Sequence, residues 1–300
     1  MTRWLVTGAS GMLGRDVMAD LRARGQTVLG RSRRELDVTD AVAVRALISD
    51  YRPGIVVNCA AWTAVDAAES DEELALAVNG GGARNLAAAC ADAGARMAHI
   101  STDYVFGGDA ERPYTEYDTP APRTAYGRTK LAGERAVLES LPDAGLVVRT
   151  AWLYGGAGPS FVHTMAGLAA GTQRTVDVVA DQRGQPTWTV DVAEQVITLA
   201  ALGSTGIYHA TSSGETTWFG LAKEVFRLLG ADQERVRPAT SQAFRRPAPR
   251  PAYSVLGHDR HAGVPVEPVG DWRLALRRAW PTLCTAPGRV SASTTVLHCP

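Results

Sequence analysis

Cysteine is scarce in this chain, at four in 300 residues. Cys59, Cys90, Cys284 and Cys299 show neither metal-ligand spacing nor a disulfide framework, so a metal-stapled or disulfide-stapled fold is excluded as the organising principle. Cys59 lies in an apolar run and reads as core. Net charge is also missing. Thirty-one basic residues balance 31 acidic ones, which leaves no global field to attract nucleic acid or an anionic membrane. No apolar stretch is long enough to span a bilayer, and a strand-like run begins at once with no leader-like segment before it. No internal repeat is present. These absences leave a metal-free cytoplasmic protein, with no nucleic-acid or membrane partner, as the expectation.

Tyr126 and Lys130 stand four residues apart in Thr124-Ala-Tyr-Gly-Arg-Thr-Lys-Leu-Ala-Gly-Glu134. On a helix that spacing is about one turn, so phenol and ammonium share a face. A tyrosine alone titrates near ~10, and a cation beside it lowers that value. Such a pair exchanges a proton with a carbonyl or alcohol oxygen. The pattern also occurs by chance on surfaces, so it needs a partner motif. The N-terminus supplies one. Thr2-Arg-Trp-Leu-Val-Thr7 reads as a strand, Gly8-Ala-Ser-Gly11-Met-Leu-Gly14 follows, and an amphipathic helix runs on toward Gly25. In that context Gly8 serves a tight turn, Gly11 the approach of a pyrophosphate, and Gly14 close helix–strand packing. The spacing is GxxGxxG rather than GxGxxG. After the next strand, where an acidic residue would favour NAD, the chain has Arg31-Ser-Arg-Arg34, and Arg31 with Arg33 and Arg34 suits the 2′-phosphate of NADP. NADPH is the expected cofactor, with NADH not excluded. Asp37 and Val38 come next, and Asp37 equally suits the capping of the following helix.

Strands and helices alternate through Ile55-Val-Val-Asn-Cys-Ala60, a helix over 71–93, Arg96-Met-Ala-His-Ile-Ser101, the Tyr126 helix and Gly145-Leu-Val-Val-Arg149. The fold class is α/β, a Rossmann-type doubly wound parallel sheet with ligands at the carboxyl ends of its strands. Beyond residue 155 the pattern loosens. Residues 1–155 are expected to form the dinucleotide-binding core, 156–280 a smaller substrate-binding lobe, and 281–300 a disordered tail.

Ala60-Ala-Trp-Thr-Ala-Val-Asp66 with Ala68-Glu69, Ser101-Thr-Asp-Tyr-Val-Phe106, the Tyr126–Glu134 run, Arg149-Thr-Ala-Trp-Leu-Tyr154, Asp181-Gln-Arg-Gly-Gln-Pro-Thr187 and Gly206-Ile-Tyr-His209 with Thr217-Trp218 resemble the dTDP-4-dehydrorhamnose reductases, extended short-chain dehydrogenases, over roughly residues 3–280. The resemblance implies reduction of a 4-keto group on a dTDP-linked 6-deoxy sugar. It places Gly8, Gly11, Met12 and Leu13 at the pyrophosphate, Asp37 and Val38 beside the adenine, and Ala61, Trp62 and Thr63 on the nicotinamide side. It makes Tyr126 the proton donor to the sugar C4 oxygen, and Lys130 the partner of the nicotinamide ribose that also lowers the Tyr126 pKa. Thr102 would bond the same sugar oxygen. Asp103 and Trp152 would contact the sugar nucleotide, and Arg250 its diphosphate. For Trp152 an ordinary core role competes, and for Arg250 an exposed place in the Pro-rich loop. Ser160 stands where many relatives have Asn, which puts one substrate contact in doubt.

The product is expected to be dTDP-L-rhamnose. The alternative is an antibiotic-pathway relative such as dTDP-dihydrostreptose synthase in streptomycin biosynthesis. An NAD-dependent sugar-nucleotide epimerase or dehydratase is disfavoured by Arg31 and by Tyr104, which stands where a dehydratase keeps an acid. A non-catalytic NADPH-binding regulatory subunit is disfavoured by the full set Thr102, Tyr126 and Lys130. Oligomeric state, a homodimer included, is not fixed by the sequence.

Overall fold

The computed structural model describes residues 2–171 and 175–284. The first half alternates strictly: β1 (Arg3–Thr7), α1 (Met12–Ala23), β2 (Thr27–Arg31), α2 (Ala41–Tyr51), β3 (Ile55–Asn58), α3 (Val65–Ser70), α4 (Glu72–Leu76), a π-helical turn (Ala77–Gly81), α5 (Gly82–Ala93), β4 (Arg96–Thr102), α6 (Ala125–Ser140) and β5 (Gly145–Thr150). The expected helix over 71–93 is thus one helical run with a π turn inside it. The second half contributes β6 (Leu153–Tyr154), α7 (Phe161–Ala170), β7 (Val176–Val179), β8 (Arg183–Gly184), β9 (Thr187–Trp188), α8 (Thr189–Leu202), β10 (Gly206–His209), β11 (Thr216–Thr217), α9 (Trp218–Leu228), β12 (Val236–Ala239) and α10 (Trp272–Cys284).

The main sheet has six strands in the order β10-β5-β4-β3-β1-β2, and every pairing in it is parallel. The order reverses between β1 and β3, where a crevice opens at the carboxyl ends of the strands. One face packs on α1 and α8 through Val17, Met18, Leu21, Val192, Val196 and Ile197. The other packs on α2, α5 and α6 through Val44, Ile48, Leu86, Ala87, Val137 and Leu141. Burial on both faces accounts for the continuous apolar runs of β3 and β5.

β10, which in sequence shows only as part of a motif, completes the main sheet by pairing with β5. α8 covers α1. A boundary at 155/156 therefore cuts one sheet and one helical layer, because β10 and α8 lie beyond it in sequence but inside the core. The remaining lobe has its own core of Tyr154, Phe161, Met165, Trp218, Phe226, Trp272 and Leu276, drawn from α7, α9, α10 and neighbouring strands. The expected tail is corrected at its start, since residues 281–284 continue α10 on apolar packing that includes Leu283. The rest of that tail lies outside the described residues.

Candidate active site

The glycine loop joins β1 to α1 as expected. Gly8 has φ +65°, and a Cβ on Gly14 would run into the Gly8 carbonyl oxygen, so α1 can start this close to the strand only with glycine there. α1 begins without a side-chain cap, so its first amides, at Met12, Leu13 and Gly14, are open to an acceptor. A cradle of this shape and charge fits a pyrophosphate. Met12 is half-buried and Leu13 is buried in the core.

An open groove of about 460 Å³ lies beyond the loop, lined by Ser10, Arg15, Arg22, Gly30, Ser32 and Glu35 among others. Arg31 is half-buried and donates to the Gly30 carbonyl at 3.3 Å, Arg33 and Arg34 are exposed, and none of the three lines the groove. The sequence reading missed Glu35. Its carboxylate accepts from the Ser32 amide at 2.8 Å and the Ser32 hydroxyl at 2.6 Å, and those bonds hold its pKa low. An acidic group thus returns to the end of β2 through a turn. Asp37 accepts from the amide and hydroxyl of Thr39, and Asp40, not Asp37, caps α2. The Val38 side chain is committed to the core.

Past β3 the chain runs through Ala61 and Trp62, both half-exposed, and Thr63, which is exposed. Asn79, in the π turn, clamps this loop. Its Oδ1 accepts from the Trp62 amide at 2.9 Å, and its Nδ2 donates to the Trp62 carbonyl at 3.1 Å and to Thr129 Oγ1 at 3.0 Å. A π turn often marks a functional position; here it brings one side chain to both α6 and the loop.

α6 is capped twice. Thr124 Oγ1 accepts from the Gly127 amide at 3.0 Å, and Glu69 of α3 accepts from the Ala125 amide at 2.9 Å. This fixes Tyr126 in the first turn, over Thr102 at the end of β4. The Thr102 hydroxyl lies within hydrogen-bonding reach of the Tyr126 phenol. It also donates to Asp103 Oδ1 at 2.9 Å. Tyr104 meets Tyr126 edge-on, with ring centroids 5.6 Å apart.

Lys130 is buried one turn further along α6, and its ammonium donates to the Ile100 carbonyl at 2.6 Å. Burial pushes its pKa down to about 8, against the opposing pull of Glu134. Burial also pushes Tyr126 up to about 12, partly offset by Thr102. The expected lowering of Tyr126 by Lys130 is not found, because the ammonium is turned to a backbone carbonyl and burial dominates. Asp103 is buried, and burial raises its carboxyl to about 6. Its Oδ2 has no hydrogen-bond partner, although the nearby Ser254 hydroxyl draws the value back.

A second cavity, of about 260 Å³, opens within the lobe, with Phe161, Met165, Trp218, Phe244, Arg246 and Arg250 in its lining. Arg250 is mostly buried and forks onto Asp66 of α3 at 3.0 and 2.9 Å, so the exposed-loop reading does not hold. Its charge, with those of Asp66 and Asp103, acts on the Tyr104 phenol, whose ring meets that of Tyr126. Trp152 has φ +47° and stacks on Trp218 at 3.5 Å, so it braces the cavity wall from behind. Ser160 caps α7, accepting from the His163 amide at 3.4 Å. Thr102, Asp103, Tyr126 and Lys130 thus converge with Arg250 nearby. The groove holding Glu35 lies at the other end of the crevice.

The RmlD substrate binding domain model matches residues 2–284. A dTDP-4-dehydrorhamnose reductase from Streptomyces griseus is 57% identical over 292 residues, covering 96% of each chain. A dTDP-4-keto-6-deoxy-D-glucose reductase from Streptomyces niveus is 53% identical over 281 residues, 94% of this chain and 97% of that one. Among solved structures, a dTDP-4-dehydrorhamnose reductase from Bacillus anthracis in complex with NADP superposes with a TM-score of 0.89 at 36% identity, covering 93% of this chain and 99% of that one.

Proposed function

The chain belongs to the RmlD substrate binding domain family, and on that premise we propose that it is an NADPH-dependent reductase of the 4-keto group of a dTDP-linked 4-dehydro-6-deoxy-hexose. The observation that carries this reading is the convergence of Thr102, Tyr126 and Lys130 at the end of β4, with Arg250 of the aromatic, arginine-lined cavity acting on the neighbouring Tyr104. The bound nicotinamide supplies the hydride. Tyr126, kept protonated by burial, is positioned to give its proton to the C4 oxygen as negative charge develops there. Thr102 adds a second donor to the same oxygen by turning its one hydroxyl proton there from Asp103. Lys130 holds a cation one turn behind the phenol and within the expected reach of the nicotinamide ribose. Asp103 meets the sugar through its unpartnered oxygen. Arg250, released in part from Asp66, binds the diphosphate, and the Trp152–Trp218 stack shapes the wall against the nucleotide.

For the sugar, dTDP-4-dehydro-L-rhamnose is the first assignment, supported by the 57% identical relative. The D-configured 4-keto-6-deoxy-glucose is the second, supported by the relative at 53% identity. The deciding experiment follows NADPH oxidation with the 4-keto sugar generated from dTDP-glucose by a 4,6-dehydratase, with and without the 3,5-epimerase, and identifies the product by NMR. Oxidation that requires the epimerase and yields dTDP-L-rhamnose establishes the first assignment. Oxidation without it assigns the D sugar, a branched pentose product assigns the dihydrostreptose branch, and tight NADPH binding with no oxidation of either sugar overturns the reductase reading.

A further inference from the structure

Thr7, Asn58 and His99 are register partners in one row across β1, β3 and β4. Side chains in such a row share a face and touch. All three are buried, and the row faces α6. Thr7 Oγ1 donates to Asn58 Oδ1 at 2.7 Å, and the Ala60 amide donates to the same oxygen at 3.1 Å. Asn58 Nδ2 lies 3.0 Å from His99 Nδ1, and His99 Nε2 lies 3.4 Å from Lys130 Nζ.

A backbone N–H can only donate. The Ala60 amide therefore fixes the Asn58 carbonyl toward the loop and its NH₂ toward His99. His99 Nδ1 must then accept. Burial, with the Lys130 charge beside it, holds His99 well below its usual pKa, so the ring is neutral and carries its one proton on Nε2. That N–H points at Lys130 Nζ. An ammonium offers no lone pair to receive it, the separation is long for a hydrogen bond, and the ammonium is bonded to the Ile100 carbonyl instead.

We propose that the Thr7–Asn58–His99 row locks His99 as its neutral Nε2–H tautomer, and that this N–H sets the protonation of Lys130 by opposing the ammonium and accommodating the amine. His99 is a positioning residue that acts through Lys130. The other groups facing Lys130 are Glu134 on the next turn of α6, bound by Arg149 of β5 and Ser101 of β4, the Cys59 thiol beyond β3, and Tyr126 on the preceding turn. Glu134 favours the ammonium, and the Cys59 thiol, pushed up to about 12 by burial, stays neutral near pH 7. The opposing contribution comes from burial and from the His99 row.

The catalytic consequence rests on the reductase reading: turnover should fall as Lys130 loses its proton, and the basic limb of the kcat profile should follow Lys130. The tautomer does not depend on that reading. Lys130 and Lys223 are the only lysines in the chain, so lysine labelling gives a spectrum in which Lys130 can be followed directly. The test is NMR of the full-length, ligand-free protein with ¹⁵N-histidine and ¹³C-lysine, His99 being assigned by its loss in His99→Gln. The expected result is an unprotonated Nδ1 and a protonated Nε2 that do not titrate, with Lys130 titrating near 8. Asn58→Asp should invert the tautomer, because a carboxylate accepts from Nδ1–H. His99→Gln should move the Lys130 titration to higher pH, because its amide can turn a carbonyl toward the ammonium. A wild-type Nδ1–H tautomer overturns the proposal whatever the variants do, and so does a Lys130 titration unmoved in folded His99→Gln. Dead enzyme with the expected tautomer and titration would fault the reductase reading alone.

Discussion

Tyr126→Phe removes the only proton the site offers on that ring while leaving the cradle intact. Turnover should fall by about 10²-fold or more with the Kd for NADPH little changed, checked by steady-state kinetics beside calorimetry. Asp103 makes a pH prediction. Its folded pKa is raised, from 3.8 to about 6, so folding favours the protonated form. Its stabilising share is present below pH 3.8 and is lost as pH rises through about 6. Asp103→Asn should therefore melt higher than the parent at pH 8, by an amount on the order of 3 kcal/mol relative to the comparison at pH 4, read from thermal unfolding at both pH values. Glu35 occupies the Ser32 amide and hydroxyl, the donors a 2′-phosphate at this end of the crevice would need. Glu35→Gln should lower the KM for NADPH severalfold and tighten 2′-phospho-ADP-ribose while weakening NADH. Equal effects on both cofactors would show that Glu35 only closes its turn. This carboxylate was hidden in the sequence because Arg31 fills the usual position and Glu35 reaches back through the turn.

The elements act through rows and stripes. Tyr126, Lys130 and Glu134 recur every four residues along α6, and the strand beneath answers with Thr102, His99 and Ser101. The deepest contact is an ion pair: Arg149 forks onto Glu134 at 2.9 and 2.7 Å, Ser101 donates to the same carboxylate, and both charged side chains are at most 2% exposed. Breaking one half of such a pair leaves a buried charge without its partner, which costs about 3–5 kcal/mol. Glu134→Gln should lower the denaturation midpoint accordingly and loosen α6, raising amide exchange at Lys130 before turnover is lost. Exchange and midpoint equal to those of the parent would mean that packing alone holds α6. The strand–glycine–helix unit and the YxxxK helix were legible because each depends on residues within a turn or two of one another. Glu134 lay in the quoted motif without a role, since its partner is 15 residues on, in another element.

At the scale of the molecule, the dinucleotide core is not contiguous in sequence. Residues 1–155 alone would leave β5 without its β10 neighbour and α1 without α8. α8 buries Val192, Val196, Ile197 and Leu199, each contributing about 1.5–3 kcal/mol when withdrawn from water. A 1–155 fragment should show no cooperative thermal transition, whereas the full chain should melt cooperatively; a sharp transition in the fragment would show that the first five strands suffice. The same long reach builds the cavity, whose Arg250 is placed by Asp66 from 184 residues away. Among the described residues no helix is long and apolar enough to cross a membrane.

The sequence by itself determined what is local. Glycine spacing, the apolar runs of strands buried on both faces and the four-residue interval on α6 follow from backbone sterics and helical period, and these named the fold class and the Tyr126–Lys130 pair. Only the tertiary structure decided what register and packing control. Sheet register set the row from Thr7 to His99. The strand that closes the sheet came from the second half of the chain, and Lys130 turned to the Ile100 carbonyl rather than to the phenol. Pairings between distant segments leave no periodic mark on either segment, so hydrogen-bond donors and charges find their partners only once the sheet has brought them together.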